Sequence, residues 1–289
     1  MYLLNYKILS LVLILLGISL NSFATKVEFL ATGDEFTCLG TKSLVKCFGN
    51  NFYGIVQSIP FNNLKKLTAG SNHVCAMDDE GMWCWGYNGS NQNDVPYDLI
   101  NLKDISAATN HTCALDDEGI KCWGLDNFRQ VRVPSNLKNP KLVITGGHHT
   151  CAVDEDGAKC WGYNGYGQTN VPAEIRSPQQ MAVGLAHTCS IENQKVNCWG
   201  DNSHGETNVP PHLLNPRQIS SKGYYTCAID YEGVKCWGFN DKGQTNVPSH
   251  LKNPQQIATS LNHACVLDDE GAKCWGENRH GQTDVPLEI

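Results

Sequence analysis

Fourteen cysteines fall into seven pairs, each spaced C-x8-C, and no cysteine is left over. The first members are Cys38, Cys75, Cys113, Cys151, Cys189, Cys227 and Cys265; the second are Cys47, Cys84, Cys122, Cys160, Cys198, Cys236 and Cys274. Paired cysteines can close disulfides, hold a metal or exchange electrons. Zinc knuckles use C-x2-4-C spacings, so eight intervening residues are too many for one knuckle. A redox dithiol reads C-x-x-C. The spacing therefore predicts seven structural disulfides, with no metal and no cofactor. Such bridges persist in oxidising compartments.

Other reactive side chains also recur in step with the cysteines. Histidines 73, 111, 149, 187 and 263 stand two residues before a first cysteine, with Phe36 and Tyr225 in the other two units. Residues at matched positions of separate units do not converge on one ion, so the ring reads as structural hydrogen bonding. The turns Asp78-Asp79-Glu80, Asp116-Asp117-Glu118, Asp154-Glu155-Asp156 and Asp268-Asp269-Glu270 lack the alternating spacing of a calcium loop and read as a solvated acidic rim. No G-x-S-x-G, H-E-x-x-H or phosphate-cradling glycine loop is present. The chain reads as a non-enzyme, although several units together could still assemble a site around an axis.

The elements that carry these residues follow from the period. Neighbouring first cysteines lie 37 residues apart once and 38 apart five times. A period of this size means repeated supersecondary units. In the third unit, Ile105 to Ala108 is a short apolar run, and His111 to Leu115 alternates with period two as a strand does. Asp116 to Gly119 forms a hairpin turn, and Ile120 to Trp123 returns. Gly124 to Arg129 is a loop, and Gln130 to Pro134 reads as a fourth short strand. Four short strands repeated seven times predict an all-β, seven-bladed β-propeller with one disulfide inside each blade. If Leu115 faces Ile120 across the turn, Cys113 faces Cys122 at bridging distance. Trp85, Trp123, Trp161, Trp199, Trp237 and Trp275 follow the second cysteines, with Phe48 in the first unit, and read as core. Each unit forms one blade, or the unit and blade boundaries are offset and the two termini share a blade.

The fourth unit runs Gly146-Gly147-His148-His149-Thr150-Cys151, then Cys160-Trp161-Gly162, Asn164 and Gly167-Gln168-Thr169-Asn170-Val171-Pro172. This pattern resembles the repeat of the regulator of chromosome condensation family over residues 26–289. The resemblance implies a seven-bladed propeller. The short period and the G-Q-T-x-V-P ending look most like secreted bacterial members, the type II β-lactamase-inhibitory protein among them. Activity does not transfer with the fold.

The N-terminus carries Lys7, an apolar run from Ile8 to Leu20, and Ser22-Phe23-Ala24. It reads as a secretory signal over residues 1–24, leaving a propeller over 25–289 in a secreted or periplasmic setting. The apolar run is short of the roughly 20 residues that span a bilayer. Loss of Lys7 leaves 21 basic against 29 acidic side chains, and no basic run exceeds Lys65-Lys66. Nucleic acid is therefore excluded as a natural partner.

Two loops per unit differ most from repeat to repeat, one before the histidine position and one after Trp-Gly. Rigid scaffolds place binding residues on such loops. The expected contact residues are Phe52, Tyr53, Tyr87, Phe128, Arg129, Tyr163, Tyr166, Tyr224 and Phe239. The expected function is a monomeric scaffold that binds another protein, such as an extracellular or periplasmic enzyme that it inhibits. A carbohydrate-binding or carbohydrate-active protein and a purely structural envelope component are the alternatives.

Overall fold

Seven antiparallel sheets are arranged around one axis in the computed structural model, which describes residues 26–287. The candidate leader lies outside the described residues. Blade 1 holds β1 (Phe29–Thr32), β2 (Phe36–Gly40), β3 (Leu44–Gly49) and β4 (Ser58–Pro60). Blade 2 holds β5 (Lys66–Ala69), β6 (His73–Met77) and β7 (Met82–Gly86). Blade 3 holds β8 (Asp104–Ala107), β9 (His111–Leu115) and β10 (Ile120–Gly124). Blade 4 holds β11 (Leu142–Thr145), β12 (His149–Asp154) and β13 (Gly157–Gly162), and blade 5 holds β14 (Gln180–Val183), β15 (His187–Glu192) and β16 (Lys195–Gly200). Blade 6 holds β17 (Gln218–Ser221), β18 (Tyr225–Ile229) and β19 (Val234–Gly238), and blade 7 holds β20 (Gln256–Thr259), β21 (His263–Asp268) and β22 (Gly271–Gly276).

The first strand of each blade packs on the first strand of the next, and β20 returns to β1. Each repeat unit is therefore one blade, and among the described residues no strand from one end of the chain joins the sheet at the other. Leu30 and Leu39 of blade 1 bury against Cys265 and Leu267 of blade 7, so the closing junction is an apolar seam like the others. Middle strands such as β6, β9 and β18 are buried along their whole length, because both faces meet a neighbouring blade.

The register is the one the hairpin spacing requires. Leu115 pairs with Ile120, and Cys113 pairs with Cys122. All seven C-x8-C pairs are bridged within their blade, with Cα atoms 4.0 to 4.2 Å apart. No free cysteine remains among the described residues. Each bridge closes a short loop and contributes about 2–3 kcal/mol in the chain-entropy model.

The fourth strand is corrected. It forms only in blade 1, where β4 pairs with β3, and Gln130 to Pro134 is turn rather than ladder. The reason lies in local bonding. In blade 4, Asn170 N donates to Gly167 O, Val171 N donates to Thr169 O, and Thr169 N donates to the Asn164 side chain. These groups are satisfied within the loop, and the following proline has no N–H to offer.

The acidic rim is corrected too. The first acid of each turn is buried: Asp116 Oδ1 accepts from Glu118 N and Gly119 N, while Oδ2 accepts from Ile100 N of the linker entering that blade. Lys121 lies 3.2 Å from the same carboxylate. Burial alone would raise the Asp116 pKa, but the backbone donors and Lys121 outweigh it and hold the group below the ordinary range. Only the later acids of each turn face solvent.

Candidate functional site

The loops opposite the hairpin turns are built on one repeated frame. In the loop after Trp-Gly, an asparagine closes the turn with its own side chain: Asn164 Oδ1 accepts from Thr169 N, and Asn164 Nδ2 donates to Asn170. Asn202, Asn240 and Asn278 repeat the pattern. Four residues later, a buried glutamine accepts from the backbone two residues before it, as Gln168 does from Tyr166 N and Gln130 from Phe128 N. Residues 128, 166, 204 and 280 are thereby fixed at the same place on successive blades.

The same glutamine bolts its blade to the next. Gln92 O accepts from Thr112 Oγ1 at 2.9 Å and from Trp123 Nε1 at 2.9 Å. Because the Thr112 hydroxyl donates there, it accepts from His73 Nε2–H at 3.0 Å. His111–Thr150, His149–Thr188, His187–Thr226 and His263–Thr37 repeat the contact. The histidine ring is thus structural hydrogen bonding between blades, as its repetition indicated. Burial is the main force lowering these rings, to about 3 for His73, His111, His149 and His263, and to about 4 for His187. The tryptophans are largely core, and their indole N–H joins the same bolt; at the closing junction, where Phe48 has none, Thr37 Oγ1 donates to Gln282 O.

On this frame three positions meet at each junction: the residue two before the glutamine, the residue after Trp-Gly in the next blade, and the residue before the next blade's histidine position. At junction 1/2, Tyr53 lies 4.8 Å from Tyr87, and Phe52 packs on Tyr53. At junction 3/4, Phe128 lies 4.8 Å from Tyr163 and 5.1 Å from His148, with Tyr166 beyond Tyr163. At junction 5/6, His204 lies 4.8 Å from Phe239 and 5.3 Å from Tyr224. Eight of the nine expected residues therefore gather into three aromatic groups. Arg129 stands apart, exposed in a left-handed backbone conformation with φ of 63°. His148 and His204, which stand in the variable loops but outside the expected set, complete two of the groups. Aligning the loops on the glutamine rather than on residue type places His204 beside Phe128 and Tyr166. Junction 7/1 is charged instead, with His280 3.5 Å from Glu35.

The first strands of all seven blades line a cavity of about 180 Å³. Lys222 of blade 6 reaches across its mouth and donates to Thr32 O at 2.6 Å, Ala69 O at 2.9 Å and Gly70 O at 2.8 Å. Burial lowers its pKa to about 8, so it is still an ammonium at pH 7.

The regulator of chromosome condensation (RCC1) repeat matches residues 64–92, 144–168 and 255–282. Those stretches carry the histidine strand, the bolting glutamine, or both. The chain thus carries RCC1 repeats in three places on its propeller. No curated protein matches it by sequence. Among solved structures, this propeller is similar to the ectodomain of the Arabidopsis thaliana receptor kinase ACR4, with a TM-score of 0.74 and 23% identity over 90% of this chain and 96% of that one. The ectodomain of the Physcomitrella patens receptor kinase CR4 gives 0.70 and 22% over 86% and 72%. Prp20p of Saccharomyces cerevisiae, described with its binding to Gsp1p and histones, gives 0.51 and 16% over 90% and 74%. At these identities the likeness is one of fold.

Among the described residues no cluster of His, Cys, Asp or Glu is arranged to hold a metal ion, and no helix is long and apolar enough to cross a membrane.

Proposed function

We propose that this chain is an exported, non-enzymatic scaffold that holds another protein on its loop face, with inhibition of an extracellular or periplasmic enzyme as one form of that role. The observation that carries the reading is the set of aromatic groups at junctions 1/2, 3/4 and 5/6, each fixed by side chains of two adjacent blades. Phe52 is 81% exposed and Tyr166 54%, on a frame locked by disulfides and interblade bonds. Aromatic and arginine side chains dominate protein hot spots, and a rigid platform loses little entropy on binding. Structural neighbours include receptor ectodomains and a protein described as binding Gsp1p, which supports a protein partner. Seven disulfides support an oxidising compartment, and cleavage of the leader after Ala24 belongs to the same reading.

The test is capture. The oxidised protein is immobilised beside a variant with Tyr53, Phe128, Arg129, Tyr166 and Tyr224 changed to Ala, and the host's periplasmic and culture proteins are passed over both. One protein retained on the first and lost on the second is the expected result. Equal retention on both sinks the loop face. A second reading, carbohydrate binding, is favoured by the exposed ring faces of Phe52 and Tyr166; glycan-array binding without protein capture would replace the first reading with it.

A further inference from the structure

We infer that the junction between blades 5 and 6 is a recess for an organic cation, and that it takes a lysine side chain of the protein partner. This rests on the protein-binding reading above and gives the partner its chemistry.

Three rings meet at this junction: His204 contacts both Tyr224 and Phe239. Two carboxylates bear on Tyr224, Glu206 beneath this junction and Asp201 at the neighbouring junction 4/5. Asp201, partly exposed, stands at the position after Trp-Gly and is fixed by Ser203 N and Ser203 Oγ. Glu206 stands where five other blades have glutamine, at positions 92, 130, 168, 244 and 282. Its side chain is fully buried. Glu206 Oε2 accepts from His204 N, as the glutamine oxygen does elsewhere, while Oε1 has no partner. Blade 2 shows where that second atom points. Gln92 Nε2 donates to Asn110, and residue 110 is the counterpart of Tyr224. Glu206 Oε1 stands in the place of that amide nitrogen, which in blades 3, 4, 6 and 7 is likewise without a partner, but here the unpartnered atom is a carboxylate oxygen. Gly238 lets the chain close over it, because a Cβ there would come within 2.7 Å of Tyr224 O and 3.1 Å of Glu206 Cα. The Tyr224 phenol is pushed up by burial first, then by Tyr166, Asp201 and Glu206, as expected in a negative field.

A buried carboxylate oxygen without a donor is costly. An ammonium resting on the rings would offset that cost and meet the negative face of each ring. Junction 3/4 supplies an internal control. Phe128, His148 and Tyr163 form the same three-ring arrangement there, but over the neutral Gln130. Charge beneath the rings is what distinguishes the two.

The experiment uses the oxidised protein at pH 8, above the ordinary histidine range. Nα-acetyl-lysine N-methylamide is titrated while the ring resonances of His204, Tyr224 and Phe239 are followed by NMR, with the norleucine analogue as the neutral probe. Saturable shifts with the lysine probe alone are expected. Glu206→Gln should weaken them by about fivefold, the effect of removing one charge about 4 Å from an ammonium that itself stays in water. That variant has the side chain five other blades already use, so folding is not in question. Gln130→Glu should confer a second lysine response at Phe128 and Tyr163. Equal shifts with both probes, no shifts, or unchanged affinity in Glu206→Gln would each overturn the recess. Failure of protein capture with lysine binding intact would overturn the partner reading and leave the recess standing.

Discussion

Each repeated histidine is a neutral donor held in a dry place, and that state has a price in acid. Burial lowers these rings from 6.5 to about 3 or 4, so between pH 6.5 and those values the unfolded chain binds more protons than the folded one. Stability must fall as pH falls through that window, by up to about 1.4 kcal/mol per pH unit for each ring. Asp116, Asp154, Asp230 and Asp268 are lowered as well, so their contribution is present above the ordinary carboxylate range and lost below it. Urea midpoints should drop steeply from pH 7 to pH 4.5, and His111→Asn should make the slope shallower by one proton. A flat profile would show that the rings are accessible. The pairing has its own logic. Phe36 faces a blade with Val74 in place of the threonine, and Tyr225 faces one with Ala264, its hydroxyl donating to His263 O instead. Histidine and threonine are thus kept or discarded together. Thr112→Val alone should cost about 1–3 kcal/mol by stranding the His73 donor. Adding His73→Phe should restore part of that loss, since the double variant copies the Phe36–Val74 junction; strict additivity in denaturant melts would refute the coupling.

At the scale of the blade, one bridge serves one hairpin. Replacing Cys113 and Cys122 with Ala should cost about 2–3 kcal/mol and leave the other blades' bridges unchanged in non-reducing peptide maps. Any bridge crossing between blades in the variant would contradict the local staple. The hairpins, their register and the cysteine pairing were legible in the sequence because each depends on residues a few positions apart. The fourth segment was not legible. Gln130-Val-Arg-Val has strand-like composition, but Gln130 Oε1 takes Phe128 N and the backbone turns before a ladder can form. The buried turn acids escaped for a related reason. Asp116 looks like a surface turn residue until the linker amide of Ile100, 16 residues earlier, is brought beside it. At the candidate site, ring residues were visible as outliers of type, whereas His148, His204 and Glu206 acquire meaning only when seven loops are superposed.

At the scale of the whole ring, closure depends on one junction made from opposite ends of the chain. Thr37 joins His263 and Gln282 O at sequence separations of 226 and 245 residues. Thr37→Val should therefore loosen β2 and β21 together, read as faster amide hydrogen exchange in both strands with blades 3 to 5 unchanged. Faster exchange confined to one of them would mean that the apolar seam of Leu30, Leu39, Cys265 and Leu267 closes the ring without the bolt. Lys222 has a different consequence. A single ammonium from blade 6 grips carbonyls of blades 1 and 2 across the axis, and so acts as a spoke between blades that are not neighbours. A broad recess lined by Lys66, Leu67, Gln218 and Gln256 lies on the opposite, hairpin side. The Lys222 spoke therefore braces the hub on the face that carries the loops, so a pull on one blade is shared across the axis as well as around the rim.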